Sequence, residues 1–288
     1  MAEHSSDYAT WVGRSETAVD VVTAGPLDRL AATLDRDDPP FADGDPVPPL
    51  AHWLFFLPSA PQSAIGPDGH PHRGGFLPPV HDLPRRMWAG SRVSFPGEIR
   101  VGDRVVRRSV IASIREKAGK SGALVFVTVR HEIGREGEPP AIVDEHDIVY
   151  RGLEAAPAAP TEVVPAGAWR RTLTPDAVLL FRYSALTFNG HRIHYDRDYV
   201  TGVEGYPGLV VHGPLTATLL VDLVRRNAPA ARIDSFSFRA MSPLFDGNDM
   251  SVNAALPDAD GRVRLWAANA EGRLAMAAEA SLSGTVPS

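Results

Sequence analysis

No cysteine occurs in the 288 residues, which excludes disulfides, thiolate-bound metals and a cysteine nucleophile. Long apolar runs are missing too: nothing approaches the ~20 residues a bilayer-spanning helix needs, so no membrane association is expected. The opening stretch MAEHSSDYATWVGRSETAVD has neither the basic start nor the apolar core of a secretory signal, and a cytoplasmic protein is the expectation. Positive charge is not concentrated anywhere. The net charge is −6, the arginines are scattered, and no basic stripe interleaves with aromatics, so nucleic acid is not an expected partner.

What remains is an ordinary globular composition, with 44% hydrophobic and 22% charged residues. The length exceeds the usual ~100–200 residues of one domain. A segment rich in alanine and proline after residue 151 has no sustained apolar period. It divides the chain into an N-terminal domain (1–151), a linker (152–172) and a C-terminal domain (173–288). A second proline- and glycine-rich region, 58–86, reads as a long loop, and ordered loops of that length often carry function.

Both halves show helices followed by strands. In the first, 27–35 and the strongly apolar 48–57 read as helices. Strand-like runs at 91–100, 103–117, 123–134 and 140–151 follow, with glycine-bearing turns between them. In the second, 213–228 reads as a helix, with Leu215, Leu219, Leu220 and Leu223 at helical spacing and enough interruption to imply burial on most sides. Four strand-like runs complete it. A mostly buried helix followed by an antiparallel meander implies a sheet wrapped around that helix, and the repeated layout implies an internal pseudo-dimer.

The stretch NGHRIHYD, 189–196, concentrates chemistry in a chain with ten histidines. His191 and His194 lie three apart, and GLVVHGPL follows, placing His212 and Gly213 just before the buried helix. A glycine N–H in a helix's first turn has no intrahelical acceptor, gains from the positive end of the dipole, and lets a substrate carbonyl approach. A base and an oxyanion donor are therefore available together.

These residues resemble the MaoC-like R-specific enoyl-CoA hydratases and type 2 hydroxyacyl thioester dehydratases, whose pattern runs D-x-N-P-(L/I)-H-x-D before a V-H-G step into a central helix. Ile193, His194 and Asp196 match it. Asn189 stands at the family's catalytic aspartate, His191 at its asparagine and Arg192 at its proline. This version, with FRYSALTFN before it, resembles a subgroup that includes mesaconyl-CoA (3-methylfumaryl-CoA) hydratases and mitochondrial-type thioester dehydratases. The resemblance implies an α+β double hotdog fold of two antiparallel sheets, each around a central helix. The C-terminal half would be catalytic and the N-terminal half non-catalytic.

It further implies reversible hydration of a 2-enoyl-CoA, mesaconyl-CoA to citramalyl-CoA being the favoured case, without a metal or other cofactor. The catalytic candidates are His194 as acid and base, Asn189 holding the water or β-hydroxyl, His191, and the Gly213 N–H for the enolate oxygen. Arg192, Tyr183, His212 and Tyr206 are the substrate-binding candidates. Arg192 is favoured over Arg182, Arg239 and Arg73 for a distal carboxylate because a guanidinium pairs with it bidentately.

Three rivals stay open. His191, His194, Asp196 and His212 include enough donors for zinc, although their spacing is a weak signal. A hotdog thioesterase and a non-catalytic acyl-CoA binder share the fold class. A homodimer is possible, although a double hotdog already contains its pseudo-dimer.

Overall fold

The computed structural model describes residues 8–119, 122–152 and 162–285. The strands are β1 (Ser15–Val21), β2 (Arg85–Ser94), β3 (Arg104–Gly119), β4 (Gly122–Arg135), β5 (Ile142–Arg151), β6 (Trp169–Leu173), β7 (Ala231–Ala240), β8 (Met250–Ala254), β9 (Arg262–Asn269) and β10 (Leu274–Gly284). They form one antiparallel sheet in the order β1-β3-β4-β5-β2-β7-β10-β9-β8-β6. Five strands come from each half, joined edge to edge where β2 meets β7, with Val93 opposite Phe236. Gly90 makes this seam possible, because a Cβ there would stand 2.4 Å from the Phe238 carbonyl oxygen.

The helices are α1 (Ala24–Thr33), α2 (Ala177–Leu186), α3 (Arg197–Gly202) and α4 (Gly213–Asn227). Every residue of α4 from Leu215 to Val224 is buried, as expected of a helix enclosed by its sheet. Its one buried acid, Asp222, would be costly alone. It is met by Arg36 at 2.7 Å, Arg226 at 2.7 Å and Arg171 at 3.2 Å, and Arg36 comes from the opposite half.

The N-terminal half departs from its expected plan. The apolar run 48–57 is not a long helix but a single 3-10 turn, Ala51–Leu54, with Leu50 (φ 69°) and Phe56 (φ 55°) left-handed on either side. Pro48, Pro49 and Pro58 bracket the run, and a residue before proline is disfavoured in the α region. Leu50, Leu54, Phe55 and Phe56 are still buried, so their hydrophobicity reports the core rather than a helix. The earlier helix starts at Ala24, three residues ahead of its expected position, and buries Leu27 and Leu30.

Strand β1 has no counterpart among the expected elements. It is an edge strand pairing with β3 and is mostly exposed. Strand β6 lies in the stretch read as linker, yet it pairs with β8, Arg171 opposite Val252, and so extends the C-terminal sheet. Residues 153–161 of that linker reading fall outside the described residues.

Candidate active site

The motif follows α2, which Asp176 caps by accepting the Leu179 N–H at 2.7 Å. Asn189 then folds the chain back: its Oδ1 accepts the His191 N–H at 3.0 Å, a local side-chain turn of the kind asparagine favours. A 3-10 turn, Arg192–His194, presents His194 inward. Asp196 caps α3 by accepting the Tyr199 N–H at 3.0 Å.

His194 lies 2.7 Å through Nδ1 from the Val210 carbonyl. A carbonyl only accepts, so Nδ1 carries the proton and Nε2 is left with a free lone pair. The ring stacks on His212, with centroids 3.6 Å apart and planes 18° from parallel. His212 in turn pairs through Nε2 with the Ser184 hydroxyl at 2.8 Å. Burial pushes His194 down to about 3, and His212 also falls, by burial first and the neighbouring ring second. Both rings are therefore neutral near pH 7, and His194 Nε2 keeps a lone pair that can accept a proton.

His191 is edge-on to His194, with centroids 5.5 Å apart. Burial and then the charge of His70 push it down to about 3. Gly213 is the first residue of α4, and nothing lies within 4 Å of where its Cβ would be. Its N–H has no acceptor within the helix and stands beside open space.

Asn189, His191, His194, Tyr206 and Gly213 all line a cavity of about 1230 Å³. A second lobe of about 690 Å³, reached by Tyr183, shares Asn189 with the first, and also His70, Arg107, His131 and His146. The last four belong to the N-terminal half. Tyr183 is buried, its hydroxyl 3.5 Å from Thr218 Oγ1, and Arg85 lies over the Tyr206 ring.

Several expected contacts fall elsewhere. Arg192 does not line the cleft. Its guanidinium pairs with Asp196 at 2.7 Å, lies over the Tyr199 ring and donates to the Pro67 carbonyl at 3.0 Å. A guanidinium so engaged is not available to a substrate carboxylate. His212 is 1% exposed and also absent from the cleft wall. Its ring backs that of His194. Arg182 and Arg239 are exposed, and Arg73 donates to the carbonyls of Val80, Leu83 and Pro84. Because Asp196 is committed to Arg192 and Tyr199, the four-residue zinc set is not assembled. Instead Asp68, His70 and His191 each place one possible ligand atom within 4.8 Å of the others.

The N-terminal half brings two further groups. Asp68 Oδ2 accepts from His70 Nδ1 at 3.0 Å, and the His70 ring packs against His191 with centroids 4.1 Å apart. Burial alone would raise Asp68, but hydrogen bonds from the His70 side chain and backbone outweigh it and hold the carboxyl well below its usual range. Deeper in, buried Asp144 meets His146 Nε2 at 2.7 Å, Trp53 Nε1 at 2.8 Å and His52 Nε2 at 3.1 Å, all through Oδ2. Here too burial opposes ionisation, and the two histidines overcome it. Asp144 and His146 are two apart on β5, so strand geometry puts them on one face. That periodicity was the available signal, and His131, directly opposite Asp144 on β4, completes the group.

Solved structures share this architecture. A MaoC-like dehydratase superposes with a TM-score of 0.69 at 15% identity, over 95% of this chain and 98% of that one. A Mycobacterium tuberculosis protein described as a double hotdog does so with 0.51 at 15% identity, over 94% and 96%. The fold is the double hotdog of MaoC-like proteins, its two sheets here continuous. Residues 50–246 match the family model for hydroxyacyl-thioester dehydratase type 2. The chain is 48% identical over 284 residues to mesaconyl-C(4)-CoA hydratase of Chloroflexus aurantiacus, covering 97% of this chain and 99% of that protein. It is 26% identical over 267 residues to the mitochondrial hydroxyacyl-thioester dehydratase type 2 of Schizosaccharomyces pombe, covering 81% and 87%. This chain belongs to the type 2 hydroxyacyl-thioester dehydratase family and is a hydro-lyase acting on acyl thioesters.

Proposed function

We propose that the enzyme reversibly hydrates a short 2-enoyl-CoA, with mesaconyl-CoA as the favoured substrate and citramalyl-CoA as product. The observation that carries this reading is the near full-length 48% identity to a hydratase of that name. The site chemistry agrees with it. His194 Nε2 takes a proton from water as the oxygen adds to the β-carbon. The Gly213 N–H receives the enolate oxygen, and the His194 imidazolium returns the proton to the α-carbon. Asn189 keeps its side-chain N–H₂ for the β-hydroxyl while its oxygen holds the turn. Every step uses side chains or the Gly213 backbone N–H, and the reading includes no metal or other cofactor. A cytoplasmic enzyme, as a monomer or homodimer, completes it.

Arg107 supports the dicarboxylic substrate class. It walls both lobes of the cleft, and among the described residues its guanidinium meets the Phe56 carbonyl at 3.4 Å, Glu16 at 4.0 Å and the face of the Phe56 ring, while its buried Nε has no hydrogen bond there. Such a guanidinium has its bidentate edge to offer a distal carboxylate. Arg107→Met should raise KM for mesaconyl-CoA far more than for crotonyl-CoA.

The test follows the ultraviolet band of the conjugated thioester with mesaconyl-CoA and with crotonyl-CoA, with and without EDTA, alongside a free-thiol assay. Loss of the band without CoA release, indifferent to EDTA and faster with mesaconyl-CoA, is expected. Release of CoA instead would make the protein a thioesterase.

A further inference from the structure

The half expected to be non-catalytic reaches into the site. Its loop 66–70 is clamped to the motif by backbone. The Arg192 N–H donates to the Asp68 carbonyl at 2.9 Å, and Arg192 Nη1 donates to the Pro67 carbonyl at 3.0 Å. Gly69 (φ +90°) lies so close that a Cβ there would be 1.8 Å from the Gly190 oxygen. This contact delivers His70 against His191 and into the wall shared by both lobes. The Asp68 carboxylate accepts from Nδ1 and so fixes the proton there. His70 Nε2 has no hydrogen bond among the described residues.

We propose that His70 is a catalytic residue, its Nε2 accepting a hydrogen bond from the attacking water, and that Asp68 is the positioning residue that fixes its tautomer. The pair supplies the acceptor that Asn189, with its oxygen spent on the His191 N–H, does not. It rests on the hydration reading. Water then has two acceptors. His194 Nε2 removes one proton as the C–O bond forms and the C=C electron pair moves toward the thioester oxygen. His70 holds the other hydrogen, which stays on the product hydroxyl. When the enolate collapses, His194 returns its proton to the α-carbon, and both histidines end as they began. Burial keeps His70 below its ordinary value, consistent with a neutral acceptor rather than an acid.

Steady-state kinetics on crotonyl-CoA and mesaconyl-CoA test this in the full chain, with thermal unfolding as the fold control. His70→Ala should lower kcat about 10²-fold with KM little changed, and added imidazole should restore part of the loss. His70→Gln, which keeps bulk and an acceptor oxygen, should lose less. Asp68→Asn should fall between wild type and His70→Ala. The proposal is overturned if a folded His70→Ala retains wild-type kcat, or if the loss lies in KM alone. It is equally overturned if EDTA abolishes wild-type activity and zinc restores it, since Asp68, His70 and His191 would then be ligands. A wild type inert on both thioesters sinks the hydration reading itself, whereas an active wild type with unaffected variants sinks only this proposal.

Discussion

Two histidine clusters face the same cleft, one from each half, and they solve burial differently. In the C-terminal cluster His191, His194 and His212 pack ring on ring, and among the described residues no carboxylate hydrogen-bonds to their rings. They stay buried by being neutral. In the N-terminal cluster His52, His146 and Trp53 converge on the single oxygen of Asp144, and a fixed negative charge organises them. A neutral stack leaves a lone pair free for chemistry, whereas donors gathered on a carboxylate are spent on structure. The pseudo-symmetric fold thus holds a stack of neutral rings in one half and a set of donors gathered on one carboxylate in the other.

Substitutions at the two centres should separate these roles. The largest effect is expected at His194: replacing it with Ala should cost about 10³-fold in kcat in a chain that still folds, read by hydration kinetics and by urea unfolding of the same sample. A variant that kept its rate would move the reactive role to the other cluster. Asp144→Ala should do the reverse, costing about 3 kcal/mol in urea unfolding because buried donors lose their shared acceptor.

Acid should weaken the fold through both clusters. His191 and His194 are pushed down to about 3, and His131 to about 2, by burial first, so the unfolded chain binds protons that the folded chain refuses. Stability is therefore full above pH 6.5 and falls as pH drops toward the folded values. From pH 7 to 5 the loss is about 2 kcal/mol for each such histidine. Asp68 and Asp144, held low in the folded state, contribute fully above about pH 4 and lose that contribution only below it. Urea midpoints at pH 7 and pH 5 measure the first window, and His131→Gln should flatten it by one histidine's share. The smallest effect is expected at Ser184→Ala, about 1 kcal/mol, because it strips the hydrogen bond of the His212 ring at Nε2 and leaves the stack under His194 loose.

Elements whose burial has a period were readable without coordinates. Helix α4 and strands β3, β4 and β5 lie where alternation and leucine spacing placed them. The run 48–57 misleads because unbroken hydrophobicity marks burial, not helix, once prolines bracket it. Strand β1 was hidden because an exposed edge needs no apolar face. In the site, the local constellation of Asn189, His191, His194 and Gly213 was legible because ten or so residues of chain carry most of it. The contribution of Asp68 and His70 was not, since nothing in a proline-rich loop reveals which distant backbone it will clamp. Arg192 shows the same limit from the other side: its charge and that of Asp196 were both visible, but not that the two pair with each other.

The clamp also sets an order on folding. Arg192 and Pro67 are 125 positions apart, and closing such a separation costs chain entropy before any contact repays it. The reactive geometry should therefore form late, together with the seam between the halves, whose pair Val93 and Phe236 is more widely separated still. A refolding chain would regain secondary structure first and turnover last, so recovered activity would serve as a kinetic marker that the molecule has finished folding.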